Sequence, residues 1–445
     1  MPLLRPSSSG PGESIIRLMT RVAMENKAVN LSQGFPNEPP PRPVAEALAR
    51  ATLGGTTENA SNEYLLSSDH SDFVPSSDEL NQYSMPMGRT SLRRAVGSLY
   101  ERLYDWDTID PEKQVTITCG ATEAVGSALR TIGKPGDKIA FFEPFHELYP
   151  SQCKIFYLEP VFVTLTPKES STTHGSLGTA INTKKVWSID WDQLEQAMSE
   201  SIALILNTPH NPSGKVFSYD ELSRVAELAL KHDTFLITDE IYEFMCYNEQ
   251  TNDNIAELEH KHYILPQEFP DIADRVFMCN SIGKSCSATG WRVGWCVHPP
   301  EWTNVYRGIH DQSVVMAPHP MQYAAETYLS LPESFFRETL PTRYVGRLSK
   351  LKNALSEIGF EIINPDGAYY LFANYTGVDG LKDMEPMDAA MFLVKKVGVA
   401  CVPGDNFYGL AIDQGKQYLR FAACRSPADI DEACRRLLNY FDQSN

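Results

Sequence analysis

Short apolar runs alternate with amphipathic stretches along the chain from residue 114 onward. The runs are too short for helices and are rich in Val, Ile, Leu and Phe, which is typical of buried strands. They lie at residues 115–118, 138–142, 202–206, 234–239, 276–279 and 293–297. Apolar residues at helical spacing follow two of these runs, at 123–131 and 219–231. The alternation of strand, loop and helix predicts an α/β fold.

The pattern changes after Met316. Helical spacing returns at 321–330 and 344–358, and strands are predicted around 369–372 and 418–422. A last helix is predicted after Ser426-Pro-Ala-Asp429, because Ser caps helices, Pro fits the first turn and Asp favours the positive end of the helix dipole. We therefore expect a large domain over residues 51–318 and a smaller α+β domain over residues 319–445.

The remaining segments are polar or irregular. Residues 1–12 are rich in Pro, Ser and Gly, which predicts a disordered tail. Residues 13–50 are predicted to form an N-terminal arm that begins with a helix at 13–25. The stretches near 51–80 and 168–187 are polar with little periodicity, so we expect two surface insertions there.

Composition and charge narrow the class of protein. The 445 residues carry a formal net charge of −18, which disfavours nucleic acid and anionic membranes as partners, since both attract positive charge. The nine cysteines are scattered without a CxxC pair, as expected of buried thiols in a reducing compartment. The sequence shows no secretory signal and no long apolar run, so a cytoplasmic protein without a membrane span is predicted. Arginines beside serines near the N-terminus leave a mitochondrion or another organelle as the alternative.

One lysine has an unusual neighbourhood. Lys284 lies among small and hydroxylic residues, between the apolar runs at 276–279 and 293–297. A loop is predicted here, and burial between two strands would lower the pKa of the amine and make it a nucleophile. Ser281 and Arg292 supply donors suited to a phosphate. The alternative is a solvated lysine, with Arg292 in a salt bridge at the sheet edge.

Two charged residues lie inside predicted strands. Asp239 ends an almost wholly apolar strand, so its charge needs a buried partner, either a structural arginine or a cationic cofactor nitrogen. Tyr242 follows three residues later and shares a face with it. Arg420 lies mid-strand among apolar neighbours, so an anionic partner is expected.

Two turns are further candidates for ligand contacts. The turn Cys119-Gly-Ala-Thr122 opens a predicted helix, where free backbone N–H groups and the helix dipole favour a phosphate. Asn211 stands between prolines, so its amide is held for a ligand hydroxyl or closes a simple Asx turn. No HExxH, Walker loop, GxGxxG or spaced Cys/His set occurs, and no metal site is predicted.

Taken together, these residues resemble the class I pyridoxal-phosphate aminotransferases, from about residue 30 to the C-terminus. The motifs, in register, are Gln33-Gly-Phe-Pro36, Asn81-Gln-Tyr83, Asn207-Thr-Pro-His-Asn-Pro-Ser-Gly-Lys215, Asp239-Glu-Ile-Tyr242 and Ser287-Ala-Thr-Gly-Trp-Arg-Val-Gly-Trp295. They look most like the kynurenine, glutamine–phenylpyruvate and methionine aminotransferase branch. The resemblance implies fold type I: a mixed, mostly parallel seven-stranded sheet between helices, plus a smaller α+β domain. It also implies a homodimer.

The resemblance assigns a role to each candidate. Lys284 would hold pyridoxal 5′-phosphate and move the proton at the substrate Cα, and Asp239 would keep the pyridine nitrogen protonated. Asn211 and Tyr242 would hydrogen-bond the ring's 3-oxygen. The phosphate would rest on Gly120, Ala121, Thr122, Ser281, Arg292 and a Tyr83 from the second subunit. Arg420 would bind the substrate carboxylate, with Gly34 and Asn211 beside it.

One position departs from the family pattern. His146 stands where an aromatic ring usually stacks on the cofactor, and an imidazole can stack but can also donate a proton. The predicted function is transfer of an amino group from an aromatic or sulfur-containing amino acid to a 2-oxo acid. The alternatives are a carbon–sulfur β-lyase, a decarboxylase or a cyclase with the same cofactor. A cofactor-binding regulator is disfavoured, because neither a DNA-binding module nor basic charge is visible.

Overall fold

The structure is a computed structural model that describes residues 13–52, 78–174, 180–247 and 262–442. The predicted disordered tail and nearly all of the predicted insertion near 51–80 lie outside these residues. In chain order the strands are β1 (Val29–Asn30), β2 (Val115–Thr118), β3 (Lys138–Glu143), β4 (Glu159–Thr164), β5 (Thr166–His174), β6 (Ala180–Ser188), β7 (Ala203–Asn207), β8 (Phe235–Asp239), β9 (Val276–Ser281), β10 (Gly294–Val297), β11 (Glu361–Ile362), β12 (Tyr370–Asn374), β13 (Val399–Ala400), β14 (Val402–Pro403) and β15 (Tyr418–Ala422).

The central sheet has seven strands in the order β2-β10-β9-β8-β7-β3-β4. Strand β10 runs antiparallel to both of its neighbours, and the other adjacent pairs are parallel. Alternate residues of β7 enter two different hydrophobic cores, with Leu204 and Leu206 in one and Ala203 and Ile205 in the other. Both faces are therefore covered, which explains why the strands read as continuous apolar runs. The predicted α/β class and the mostly parallel seven-stranded sheet are confirmed.

Helices cover the two faces of this sheet. The helix Ala121–Ile132 contributes to the same core as Ile205, and Tyr219–His232 to the core of Leu204. Ser218 caps the latter with a complete capping box, since its hydroxyl accepts from the Glu221 amide and the Glu221 carboxylate accepts from the Ser218 amide. Among the described residues, the other α-helices longer than one turn are Ile15–Glu25, Arg42–Thr52, Thr90–Tyr104, Leu148–Phe156, Trp191–Glu200, Thr303–Val314, His319–Leu329, Leu340–Glu357, Pro386–Phe392 and Pro427–Asp442.

A second, four-stranded sheet has the order β11-β12-β15-β14 and is antiparallel. The N-terminal arm joins this part of the molecule, because β1 pairs with β13 in parallel. The predicted strands around 369–372 and 418–422 are β12 and β15. The Ser426 hydroxyl accepts from the Asp429 amide at the start of the last helix, as predicted.

One local prediction was wrong and another was incomplete. The stretch near 168–187 contains a strand pair that was not predicted, because β5 and β6 pair antiparallel from Thr166 opposite Ser188 to His174 opposite Ala180; its status as a surface insertion stays a prediction. Its many Ser and Thr residues hid a strand pattern, although Thr is β-branched and favours strands. Lys284 lies in a one-turn helix, Ile282–Ser285, rather than in a loop. Within the described residues, no helix is long and apolar enough to cross a membrane.

Candidate active site

The candidate site lies where the carboxyl ends of β7, β8 and β9 meet. Asp239 is the last residue of β8 and is only 2% exposed. The Tyr149 hydroxyl donates to its Oδ2 atom at 2.8 Å, while its Oδ1 atom has no hydrogen-bond partner. Burial raises the pKa of this carboxyl to about 6, and the bond from Tyr149 opposes that shift. The described residues supply no arginine to Asp239, so a buried oxygen remains available for a cation.

Lys284 follows the end of β9 on the one-turn helix, which the Ser281 hydroxyl caps by accepting from the Gly283 amide. Burial lowers the pKa of its amine to about 8, although the nearby Cys424 thiol acts in the opposite direction. The amine donates to the carbonyl oxygen of Gly34, which belongs to the N-terminal arm. A partly desolvated amine of this kind is a usable nucleophile, as predicted from its neighbours.

Two asparagines, at the end of β7 and just after it, connect Asp239 to Arg420 through hydrogen bonds. The Asn207 side chain donates to the backbone oxygen of Asp239 at 2.8 Å and accepts from the Asn211 amide at 2.8 Å. The Asn211 side-chain oxygen accepts from Arg420 at 3.0 Å. In the described part of the chain, this oxygen therefore bonds to Arg420 and does not close a simple Asx turn.

Arg420 is a buried cation without a counterion in the described part of the chain. It is 1% exposed and donates to Asn211 and to the Ser32 carbonyl, the latter at 2.8 Å. Its guanidinium carbon lies 4.6 Å from the centre of the Tyr370 ring and 4.9 Å from that of Phe407. Its Nε atom has no partner. A desolvated guanidinium between two rings is suited to a carboxylate, which it can bind through two parallel hydrogen bonds.

The predicted phosphate turn adjoins the opposite edge of the site. Gly120 has a φ of 79° and precedes the helix Ala121–Ile132, whose first N–H groups include those of Ala121 and Thr122. The Arg292 guanidinium donates to the carbonyls of Cys119 and Thr289, each at 3.0 Å. A Cβ on Gly120 would lie 2.7 Å from Arg292 Nη2, so only glycine fits there.

Sheet register adds Ser281 to this group. Gly294 of β10 lies opposite Thr118 of β2 on one side and opposite Ser281 of β9 on the other. The turn after β2 and the residues after β9 are therefore neighbours across a single strand. No carboxylate of the described residues forms an ion pair with Arg292. The structure therefore does not contain the salt bridge at the sheet edge that was the predicted alternative.

A group of tyrosines encloses the site from the side of β12. The hydroxyls of Tyr242 and Tyr370 lie 2.8 Å apart, and the Tyr369 hydroxyl donates to the Gly34 carbonyl at 3.0 Å. Sequence reasoning assigned no role to Tyr149 or Tyr370. An aromatic pair opening β12 gave a weak signal for the second, whereas Tyr149 is 90 residues from Asp239 and gave none.

His146 lies beside these groups in its neutral form. Burial and the positive charges of Lys284 and Arg420 lower its pKa to about 3. Its ring meets Tyr149 edge-on with the ring centres 5.8 Å apart, and its Nδ1 atom has no partner. A neutral imidazole is a stacking surface and cannot serve as an imidazolium acid near neutral pH.

Tyr83 differs from the other predicted residues, because 79% of its side chain is exposed. The remaining candidates fit pyridoxal 5′-phosphate: an activated amine, a buried carboxylate oxygen without a hydrogen-bond partner, a turn of N–H groups, and guanidinium groups that have no ion pair among the described residues. In the described ranges, no group of three or more His, Cys, Asp or Glu side chains could hold a metal ion.

Comparisons with known proteins agree with this chemistry. Residues 26–437 match the family model described as "Aminotransferase class I and II". Kynurenine–oxoglutarate transaminase 3 of Rattus norvegicus is 31% identical over 87% of this chain and 79% of its own length. The N-succinyldiaminopimelate aminotransferase of Mycobacterium tuberculosis superposes with a TM-score of 0.80 at 29% identity, covering 96% of this chain and 97% of that one. An Escherichia coli protein identified as a methionine aminotransferase gives a TM-score of 0.80 at 25% identity, covering 98% and 100%.

Proposed function

The chain belongs to the class I and II aminotransferases, a family of pyridoxal-phosphate enzymes, and from that membership we propose its substrates and the roles of its residues. The donor is an amino acid with an aromatic or sulfur-containing side chain, such as kynurenine, phenylalanine or methionine, or else glutamine, and the acceptor is a 2-oxo acid. The arrangement around Arg420 is the observation that carries this proposal.

The surroundings of Arg420 favour apolar donors. It is the buried guanidinium of the site, and besides Asn211 it lies against two rings, with its central carbon 4.6 Å from the Tyr370 ring centre and 4.9 Å from that of Phe407. One buried cation matches one carboxylate. An acidic side chain on the donor would need a second cation, whereas aromatic and thioether groups pack well against rings. Relatives named for kynurenine and methionine support the same class.

The residues of the chain divide the work. When bound, pyridoxal 5′-phosphate supplies an electron sink for the carbanion formed at the substrate Cα. Lys284 takes the proton from that carbon and returns it, which suits an amine with a pKa of about 8. Asp239, whose Oδ1 atom has no hydrogen-bond partner, would hold the ring nitrogen, and Tyr242 and Asn211 would hold the ring 3-oxygen. Gly120, Ala121, Thr122, Ser281 and Arg292 hold the phosphate.

Absorption spectra of the purified holoenzyme, mixed with single amino acids, test the proposal. We expect methionine, phenylalanine or kynurenine to convert the cofactor band and release the matching 2-oxo acid. The Arg420→Ala variant should raise KM for the donor by roughly 10- to 100-fold, because a hydrogen-bonded charge contributes about 1.5–3 kcal/mol. Arg420→Lys keeps the charge but loses the paired hydrogen bonds, and its KM should lie between the two.

The products decide between reaction classes. Ammonia with pyruvate would indicate the carbon–sulfur β-lyase, and carbon dioxide a decarboxylase; either would refute transamination while leaving the site assignment intact. An unchanged KM in Arg420→Ala would place the carboxylate elsewhere.

We also propose a cytoplasmic homodimer in which Tyr83 reaches the phosphate of the second subunit, since this side chain is 79% exposed on a single chain.

A further inference from the structure

Two buried phenols meet in the site, and the assigned chemistry uses only one of them. The Tyr242 and Tyr370 hydroxyls lie 2.8 Å apart, and their rings are nearly perpendicular at 89°. We propose that Tyr370 is a positioning residue, whose hydroxyl orients and polarises Tyr242 while its ring supports Arg420. The inference rests on the proposed function, because it takes Tyr242 as the donor to the ring 3-oxygen.

The location of Tyr370 is fixed by three contacts. It opens β12 and pairs with Ala422 of β15, two residues from Arg420. Its ring lies 4.6 Å below the guanidinium of Arg420. A Cβ on Gly34 would lie only 1.9 Å from the Tyr370 hydroxyl, so the missing side chain of Gly34 leaves the room that this hydroxyl occupies.

The direction of the hydrogen bond follows from counting protons. A phenol has one O–H group, so Tyr242 cannot donate to the cofactor and to Tyr370 at the same time. With Tyr242 donating to the ring 3-oxygen, Tyr370 must donate to Tyr242. A donor that itself accepts a hydrogen bond is more strongly polarised, which strengthens its donation.

Tyr370 thus has two separable effects. Its hydroxyl acts on the cofactor through Tyr242, and its ring acts on the substrate carboxylate through Arg420. Removing the hydroxyl alone should weaken the donation to the 3-oxygen. Negative charge on that oxygen is then less well stabilised in the unprotonated form of the lysine-bound cofactor, so this form needs a higher pH.

Titration of the cofactor's absorption with pH, in the holoenzyme, tests the inference. We expect Tyr370→Phe to raise the midpoint by roughly half a unit, which is the scale of one polarised hydrogen bond. Its KM for the amino donor should change less than about twofold, because the ring under Arg420 remains. Tyr370→Leu should show the same midpoint shift and also raise KM by about fivefold, since the cation–π contact is lost.

Tyr344→Phe is the matched control. Tyr344 is buried and packs on Tyr369 with the ring centres 5.2 Å apart, but its hydroxyl has no partner. Its midpoint should equal that of the wild type. An unchanged midpoint in Tyr370→Phe, or an equal shift in Tyr344→Phe, overturns the role of Tyr370 and leaves the proposed function standing. Wild-type protein without any cofactor band would overturn both.

Discussion

Asp239 shows how burial changes the protonation of a single residue. Its carboxyl is buried, and the pKa is raised from 3.8 to about 6. Folding without a cation therefore favours the protonated acid. Stability from this effect is complete below the unfolded pKa and is lost as the pH rises through about 6.

The direction of this pH dependence of stability can be tested on cofactor-free protein. Asp239→Asn should leave the free energy of unfolding nearly unchanged at about pH 4 and raise it near pH 7, by up to about 3 kcal/mol, because the amide has no charge to bury. Urea denaturation at the two pH values measures the difference. The exposed Asp379, whose pKa is lowered by Lys382, is the control, and Asp379→Asn should give no gain near pH 7. An equal effect of Asp239→Asn at both pH values would contradict the assignment.

His146 is a second residue whose role depends on whether it carries a proton. With a pKa of about 3, it is neutral throughout the range in which enzymes of this kind work. We expect His146→Phe to keep kcat/KM within about threefold, since a planar ring remains to stack. His146→Gln, which keeps a polar group but loses the ring, should lose more activity. The opposite order would show that a polar atom of the imidazole takes part in the reaction.

The sequence predicted these side chains better than their partners. Asp239 and Arg420 stood out because charge interrupts apolar runs, and burial of such charge requires a ligand or a partner. Lys284 stood out because it lies among small and hydroxylic residues between two apolar runs. The partner Tyr149 could not be predicted, since a hydrogen bond across 90 residues leaves no local pattern. The lowered pKa of His146 likewise depends on its burial and then on the charges of Lys284 and Arg420, which only the fold brings near.

At the scale of elements, Glu143 fastens β3 to the loop that carries Phe407. Its buried carboxylate accepts from the backbone amides of Gly409, Leu410 and Ala411 at 2.8–2.9 Å, and from the Thr164 hydroxyl at 2.8 Å. The same loop is held again where the Phe145 amide donates to the Phe407 carbonyl at 2.8 Å. The ring over Arg420 is thus held by the end of a strand in the central sheet.

Replacing one oxygen of Glu143 tests this attachment. In Glu143→Gln an NH₂ group would face backbone N–H donors, so we expect the free energy of unfolding to fall by about 1–3 kcal/mol. KM for the donor should rise as well, because Phe407 loses its support. Glu147→Gln is the control: its carboxylate makes one long bond of 3.4 Å to Asn406, and the variant should differ little from wild type. Lowered stability with an unchanged KM would restrict Glu143 to a structural role.

Helices and strands were predicted correctly where the apolar pattern continues unbroken along the whole element. The helix at Tyr219–His232 and the strands β2 and β15 lie where periodicity places them, to within a residue. The β5–β6 pair was missed, because the sequence of this stretch has polar residues at successive positions and lacks the alternation that marks a half-buried strand. The one-turn helix of Lys284 was missed because a single turn is too short to show a period.

At the scale of the whole molecule, the proposed homodimer makes each site depend on two chains. Lys284→Ala and Tyr83→Ala variants should each be nearly inactive alone. When the two are mixed, dissociated and reassembled, half of the dimers are mixed, and each mixed dimer has one intact site. Activity should therefore return to about a quarter of the wild-type value. Activity that stays at the level of the separate variants would show that Tyr83 does not reach a neighbouring site.

The pairing of the N-terminal arm with the second half of the chain also determines the order in which parts of the molecule can form during synthesis. Ser32 receives the hydrogen bond of Arg420 across 388 positions of sequence, and β1 pairs with β13, so the arm must wait for segments that are synthesised much later. At ribosomal speeds of about 5–20 residues per second, that wait is roughly 20–80 seconds. The central sheet is complete once β10 has emerged, about 125 residues before Arg420. During synthesis there is therefore a period in which β8 and β9, which end at Asp239 and Ser281, have emerged and Arg420 has not.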